Sequence, residues 1–574
     1  MRTNGMIRKG AIIVGSVTLA ACADRAIGPE TPAICSAARA LSRGEVQQVV
    51  GGTSLECMVI AGASDASEYL LITANAASAQ DEVQTYRVTG EAGAGALTAR
   101  AGRVGASATV MARGHEADDR FGDALALSAR AEAARHAATQ KQLAGFDVGA
   151  LARAGRQRLA IPAAAVAIGD TLTYRVGDAQ ASSMCTTFTN VRAVVRAVGT
   201  RALVVQDVAA PLNGFSAADF AAIASEYDAV VHPTSVQWFG EPTDINGDGR
   251  VALLFTPAIN RLTPPGSLGF VGGYFWSADL LPRAVSTQGY ACPASNEQEI
   301  MYLLTPDPNG QVNGNRFTVT SVLRAMRGTV AHELQHLINQ GIRQSRGAAR
   351  ETDWLNEGMS HLAEELVGRA VRGYPVSKSL KYDDVLTDLD DFDAFFRQNL
   401  IRFRAWMTRP DLASPISQKA ISELAPRGAS WALLRYALDQ YGGTTPSAFT
   451  RALVVGPQVD VANLEARTRV SFTEILPGFL VAAAGDTTGA GLSSRYRFTS
   501  WAMRDAMTGL NGGVFPLRMT ALPTEITTQS LSGSGNYFVL SRPASSSAFT
   551  VRMRSENGSP VAFAGARAYL VRVR

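Results

Sequence analysis

TVAHELQHLINQ, residues 329–340, sets His332 and His336 four positions apart with Glu333 between them. On an α-helix that spacing is slightly more than one turn, so both imidazoles project from one face with the glutamate beside them. At about 100° per residue from Thr320 onward, Leu323, Met326, Val330, Leu334 and Leu337 form a narrow stripe on the opposite side. The segment is therefore expected to be a helix that buries its leucines and keeps its histidines out of that stripe. Gly341 is the expected stop. Two imidazoles one turn apart can both reach one Zn²⁺ at about 2.0–2.1 Å, and a neighbouring glutamate can take a proton from water held there. The alternative is two polar residues on a solvated helix face.

A hydrolytic zinc site needs a third protein ligand and one open position. Downstream, ETDWLNEGMSHLAEELVGR (351–369) offers a second helix, with Asp353 as its expected cap. Its apolar stripe is Leu355, Met359, Leu362 and Leu366; Glu357, His361 and Glu364 cluster on the other face. Glu357 is the expected third ligand. The metzincin spacing HExxHxxGxxH is absent, because Asn339 and Ile342 stand where its glycine and third histidine would be.

HELQH followed by WLNEGMSHLAEEL resembles the gluzincin metallopeptidases, and within them the hyicolysin-like family of secreted neutral proteases. The motifs cover about 40 residues, and a weaker likeness spans 215–485. The resemblance implies zinc ligands His332, His336 and Glu357, with Glu333 as general base and then acid. It implies an α+β catalytic domain acting on protein or peptide substrates. Thermolysin-like sequences carry an aspartate where His361 stands. His361 is therefore read either as an oxyanion-stabilising or Glu357-bonding group or as a surface residue. Glu364 is read either as a carboxylate that orients a ligand histidine or as a solvated glutamate. Tyr382 and Tyr436 are further candidates for holding the oxyanion.

The N-terminus, MRTNGMIRKGAIIVGSVTLAAC, puts Arg2, Arg8 and Lys9 ahead of an apolar run, the pattern of a secretory signal. Its end, Leu19-Ala20-Ala21-Cys22, resembles a bacterial lipobox. That implies lipidation at Cys22 and an exported protein tethered to the cell envelope through its lipid. Removing the three basic residues takes the formal charge from +4 to about +1, which disfavours nucleic-acid binding. A monomer is expected. No cysteine pair is spaced CxxC, so the four cysteines beyond Cys22 suggest disulfides, with Cys35–Cys57 and Cys185–Cys292 preferred over the other pairings or free thiols.

With 574 residues the chain is too long for one core. The expected architecture is multidomain, a gluzincin-like α+β domain flanked by β-rich domains. Its expected parts are a signal peptide (1–21), a linker (22–32), an N-terminal β-sandwich (33–112), a helical segment plus β-rich domain (113–212), a catalytic domain (213–487) and a separate C-terminal β-domain (488–574). GFVGGYFWSADL (269–280) reads as an edge strand along a cleft, or as core. RGASWALLRYALDQYGG (427–443) reads as a packing helix. In PTDINGDGRVALLF, Asp244, Asn246 and Asp248 have the spacing of a Ca²⁺ loop, but Phe255 stands where an EF-hand needs glutamate, so an Asx turn is favoured over calcium. Together these features predict an exported, lipid-anchored zinc metalloendopeptidase. The alternative is a surface adhesion or binding protein with a structural or vestigial zinc site.

Overall fold

The computed structural model describes residues 38–90, 108–158, 166–485 and 491–574. The first segment supplies strands β1 (Val46–Val50), β2 (Met58–Ile60), β3 (Ser67–Asn75) and β4 (Val83–Gly90). After helix α1 (Ala108–Leu143) come β5 (Thr171–Gly177), β6 (Phe188–Val198), β7 (Ala202–Asp207), β8 (Val251–Phe255), β9 (Gly273–Phe275) and β10 (Ile300–Leu303). A helical region follows, containing α2 (Val319–Arg346), α3 (Asp353–Val371), α4 (Arg397–Met407) and α5 (Leu424–Tyr441). Five strands end the chain: β11 (Thr520–Ala521), β12 (Glu525–Leu531), β13 (Ser534–Arg542), β14 (Phe549–Ser555) and β15 (Ala566–Arg572). The protein is thus α+β, with helical and several β-sheet regions.

The strands at the two ends of the chain do not form the two separate domains expected from sequence. They interleave as β1-β15-β3-β13-β11 and β12-β4-β14-β2. β3 pairs antiparallel with β13 along one edge and with β15 along the other. The reason lies in SEYLLITAN, which is buried at all but one position and so needs a partner on each edge and cover on each face. NYFVLSR and ARAYLVR provide the partners. Leu71, Tyr86, Val88, Phe538, Val551 and Leu570 form part of the shared core.

The second sheet runs β5-β6-β7-β8-β10-β9. ALVVQD, VALLF and IMYL are buried throughout, as expected for parallel central strands covered on both faces. β7 pairs parallel with β8, and β8 with β10. The expected boundary at 212/213 therefore falls inside one hydrogen-bonded sheet, because β7 is too apolar to end a domain. Cys185 and Cys292 are joined as a disulfide with a Cα–Cα distance of 4.6 Å. Short antiparallel β9 is the last strand of the sheet, with α2 packed beside it and Tyr274, Phe275 and Trp276 buried, so 269–280 supplies both an edge strand and core aromatics.

Asp244, Asn246 and Asp248 form the Asx-rich turn that feeds β8. Asp244 Oδ1 accepts from the Gly249 N–H at 3.2 Å, and Asp248 Oδ1 from the Arg250 N–H at 2.8 Å. Among the described residues no helix is long and apolar enough to cross a membrane. Cys22 and Cys35, and with them the lipidation and Cys35–Cys57 readings, lie outside the described residues.

Candidate metal centre

Helix α2 begins with Thr318 accepting from the Ser321 N–H and ends at Gly347, whose φ of 67° suits a glycine C-cap. It therefore runs past Gly341. That glycine serves packing instead, since a Cβ there would lie 2.8 Å from Thr243 Oγ1. In α3 the cap position is Thr352, and Asp353 is the first helical residue, accepting from Arg350 Nη2 at 2.8 Å. The apolar stripes of both helices join the main core, as the periodicity predicted. Gly358, next to Glu357, lets α3 lie close on α5, because a Cβ would come 2.8 Å from Leu434 Cδ1.

The polar faces are buried too, which excludes the solvated-face reading of His332, Glu333, His336, Glu357, His361 and Glu364. The two Nε2 atoms of His332 and His336 lie 3.0 Å apart. Glu357 Oε1 is 3.4 Å from His336 Nε2, and its Oε2 is 3.6 Å from His332 Nε2. A tetrahedron with ligand bonds of about 2.0–2.1 Å has edges of about 3.3–3.4 Å, so these spacings suit one Zn²⁺. Buried Glu357 Oε1 has no hydrogen-bond partner, an expensive state for a carboxylate oxygen unless a cation takes it. The imidazole and carboxylate donors also fit zinc chemically.

A fourth side chain was missed from the sequence. Glu132, on α1, places Oε1 3.2 Å from His336 Nε2 and 3.7 Å from His332 Nε2. One ligand atom from each of Glu132, His332, His336 and Glu357 fits within a mutual 4.8 Å. Arg427, at the start of α5, was also missed, because RGASWALLRYALDQYGG has the look of a plain packing helix. Its Nη2 holds Glu132 Oε2 at 2.5 Å and also binds Glu357 Oε2.

Glu364 Oε1 lies 2.7 Å from His332 Nδ1 and 3.0 Å from His361 Nδ1. It thereby fixes the His332 ring with Nε2 turned toward the cluster, the arrangement common behind metal-binding histidines. His336 Nδ1 is held at 2.9 Å by both Asn356 Nδ2 and Ser360 Oγ. His361 is fully buried, with Arg402 Nη1 3.2 Å from its Nδ1 and its Nε2 3.9 Å from Glu357 Oε2. It stands in the wall beside Glu357, and its surface reading is excluded. Tyr436 is committed elsewhere, donating to the Arg495 carbonyl at 2.8 Å.

Burial alone would lower the His332 pKa, but hydrogen bonds to Glu132 and Glu364 outweigh it and push it to about 9. Burial would raise Glu364, yet His361, Arg402 and His332 hold it well below the usual carboxylate range. Burial and then Arg402 keep His361 neutral. Burial raises Glu333, opposed by His332. The carboxylates of Glu132 and Glu364 thus draw positive charge onto the imidazoles, a role that a divalent cation would fill in place of the ring protons.

Glu333 points to the sheet edge, where its Oε2 accepts the Phe275 N–H at 2.9 Å. A cavity of about 520 Å³ opens beside it, lined by residues including Arg135, Trp276, His336 and Asn356. A carboxylate between two histidines, close to an open cavity, is placed to exchange a proton with water held at the cluster.

No family model matches the sequence. Over 146 residues the chain is 29% identical to the neutral metalloprotease ShpI of Staphylococcus hyicus, a match covering 25% of this chain and 30% of that protein. The chain spans under a third of that relative's length. This partial likeness and the buried His/Glu cluster together support a metallopeptidase family and a bound metal.

Proposed function

We propose that the protein is a zinc metalloendopeptidase of the gluzincin kind. His332, His336 and Glu357 would hold the ion, with Glu364 positioning His332. The observation that carries this is the buried Glu357 carboxylate, with one oxygen facing each imidazole Nε2 and Oε1 without a hydrogen bond, next to a glutamate anchored at an edge strand. When bound, zinc supplies Lewis-acid polarisation of the scissile carbonyl and acidifies water. Glu333 takes the proton of the attacking water and later delivers it to the departing amide nitrogen. An extended substrate backbone would approach the outer edge of β9, and the neighbouring cavity would receive a side chain. The N-terminal sequence extends the proposal to an exported protein anchored through Cys22. Calcium at Asp244, Asn246 and Asp248 has no part in this reading.

A second reading is a structural zinc site in a surface adhesion protein. It draws on Glu132, which gives the cluster four protein side chains. Glu333 speaks against it, since a purely structural site needs no buried carboxylate beside the metal. Glu333→Gln decides between them. It should keep stoichiometric zinc and lose at least about 100-fold in hydrolysis of unfolded casein, the scale of a general base. Unchanged hydrolysis in that variant would refute the mechanism.

A further inference from the structure

α1 is attached to the rest of the protein in an unusual way. From 125 to 140 its buried residues are Leu125, Ala129, Glu132 and Arg135, so the inward stripe ends in one carboxylate and one guanidinium. The only large apolar side chain in it is Leu125, which is little hydrophobic anchorage for several turns of helix. Polar contacts take over instead. Glu132 reaches the histidine pair and Arg427. One turn on, the Arg135 guanidinium sits 4.4 Å from the centre of the Tyr274 ring, and Thr139 Oγ1 accepts from Trp276 Nε1 at 3.2 Å. Tyr274 belongs to β9 and Trp276 follows that strand directly, so α1 grips the side chains of the segment whose backbone an extended peptide would use.

Resting on the peptidase reading above, we propose that Glu132 is an internal fourth metal ligand. Its carboxylate stands in the position that water and the substrate carbonyl must take, and α1 lies where the substrate would lie. Three observations combine here. Glu132 Oε1 is as close to His336 Nε2 as the Glu357 oxygen is, at 3.2 and 3.4 Å. Arg427 binds Oε2 of both glutamates, so the two carboxylates are presented to the imidazoles as a pair. Glu333 has no work to do while four side chains fill the coordination sphere, because a hydrolytic site must keep one position open. The protein therefore exists in a closed form with Glu132 on the metal and an open form with α1 displaced. A peptide that gains the edge of β9 competes with α1 directly.

The test uses the full chain loaded with Co²⁺, whose visible bands report coordination, and acetohydroxamate as a small ligand that needs an open position. The wild-type spectrum should respond weakly to acetohydroxamate, whereas Glu132→Ala should show a saturable shift in its bands. Hydrolysis of a fluorogenic casein digest should rise about tenfold or more in Glu132→Ala, as expected if the open form is a tenth or less of the wild type. Glu132→Gln, which keeps an oxygen for Arg427, provides the same comparison should the alanine variant fold poorly. Equal acetohydroxamate response in wild type and both variants would overturn the proposal, and would leave the peptidase reading intact if all three hydrolyse the digest. A spectral opening in the variants without any hydrolysis would sink the peptidase reading while supporting Glu132 as a ligand.

Discussion

Replacing Glu364 by glutamine preserves shape and removes one buried charge that the metal site leans on. The carboxylate is buried, with Oε1 2.7 Å from His332 Nδ1 and 3.0 Å from His361 Nδ1, and Oε2 3.4 Å from Arg402 Nη1. A charge-assisted hydrogen bond contributes about 1.5–3 kcal/mol, against about 0.5–1.5 for a neutral one, so the His332 contact alone forfeits about 1–1.5 kcal/mol. The amide also loses the electrostatic push that makes His332 Nε2 a better donor, and its NH₂ group cannot accept from Arg402. Together these predict a loss of zinc affinity of about 10–100-fold, equivalent to about 1.4–2.7 kcal/mol. The assay is competition for zinc against a chromophoric chelator at fixed pH, with circular dichroism to establish that the fold is unchanged. Affinity within about twofold of the wild type, in a folded variant, would mean that Glu364 does not act through the metal ligand.

The disulfide Cys185–Cys292 closes a sequence separation of 107 residues; replacing both by serine should cost about 2–5 kcal/mol in denaturant unfolding, and a loss below about 1 kcal/mol would contradict a structural role. Burial raises the Glu299 pKa to about 8, so the folded state holds a proton that the unfolded chain releases near its ordinary carboxylate value of about 4.5. That protonated carboxyl favours folding fully below about pH 4.5, and the benefit fades as pH rises toward 8. Glu299→Gln, permanently neutral, should therefore gain Tm relative to the wild type as pH goes from 5 to 8.5, by up to a few kcal/mol of stability. A Tm difference that does not change with pH would exclude the buried neutral acid.

Much of the candidate metal centre could be read directly from the chain. Heptad-like apolar stripes on 320–340 and 353–366 fix which way the histidines and Glu357 face, and a helical register leaves little choice about it. Glu364 was also legible, because it shares the Glu357 face. Glu132 and Arg427 were not. They come from segments about 200 residues before and 70 after the Glu333–Glu357 region, and neither stands in a pattern that differs from an ordinary solvated or packing helix. A single acid in AEAARHAATQ carries no mark of its destination. The depth of the polar faces was hidden for the same reason, since the buried arginines that make such burial tolerable, Arg402 and Arg427, arrive from α4 and α5. In the β-regions the central strands stand out as short, largely apolar runs, while their pairing does not. Pairing 67–75 with 534–542 is a long-range choice made by matching burial on both edges, and local propensity says nothing about it. The Gly341 stop failed because a glycine can serve close packing as readily as termination.

The account depends above all on one cation seated between α2 and α3. An anomalous difference map collected at the zinc edge from crystals of the zinc-loaded protein tests this directly. A single peak within bonding distance of His332 Nε2, His336 Nε2 and a Glu357 oxygen is the predicted result. No peak there, with the zinc bound at some other set of side chains, would contradict it.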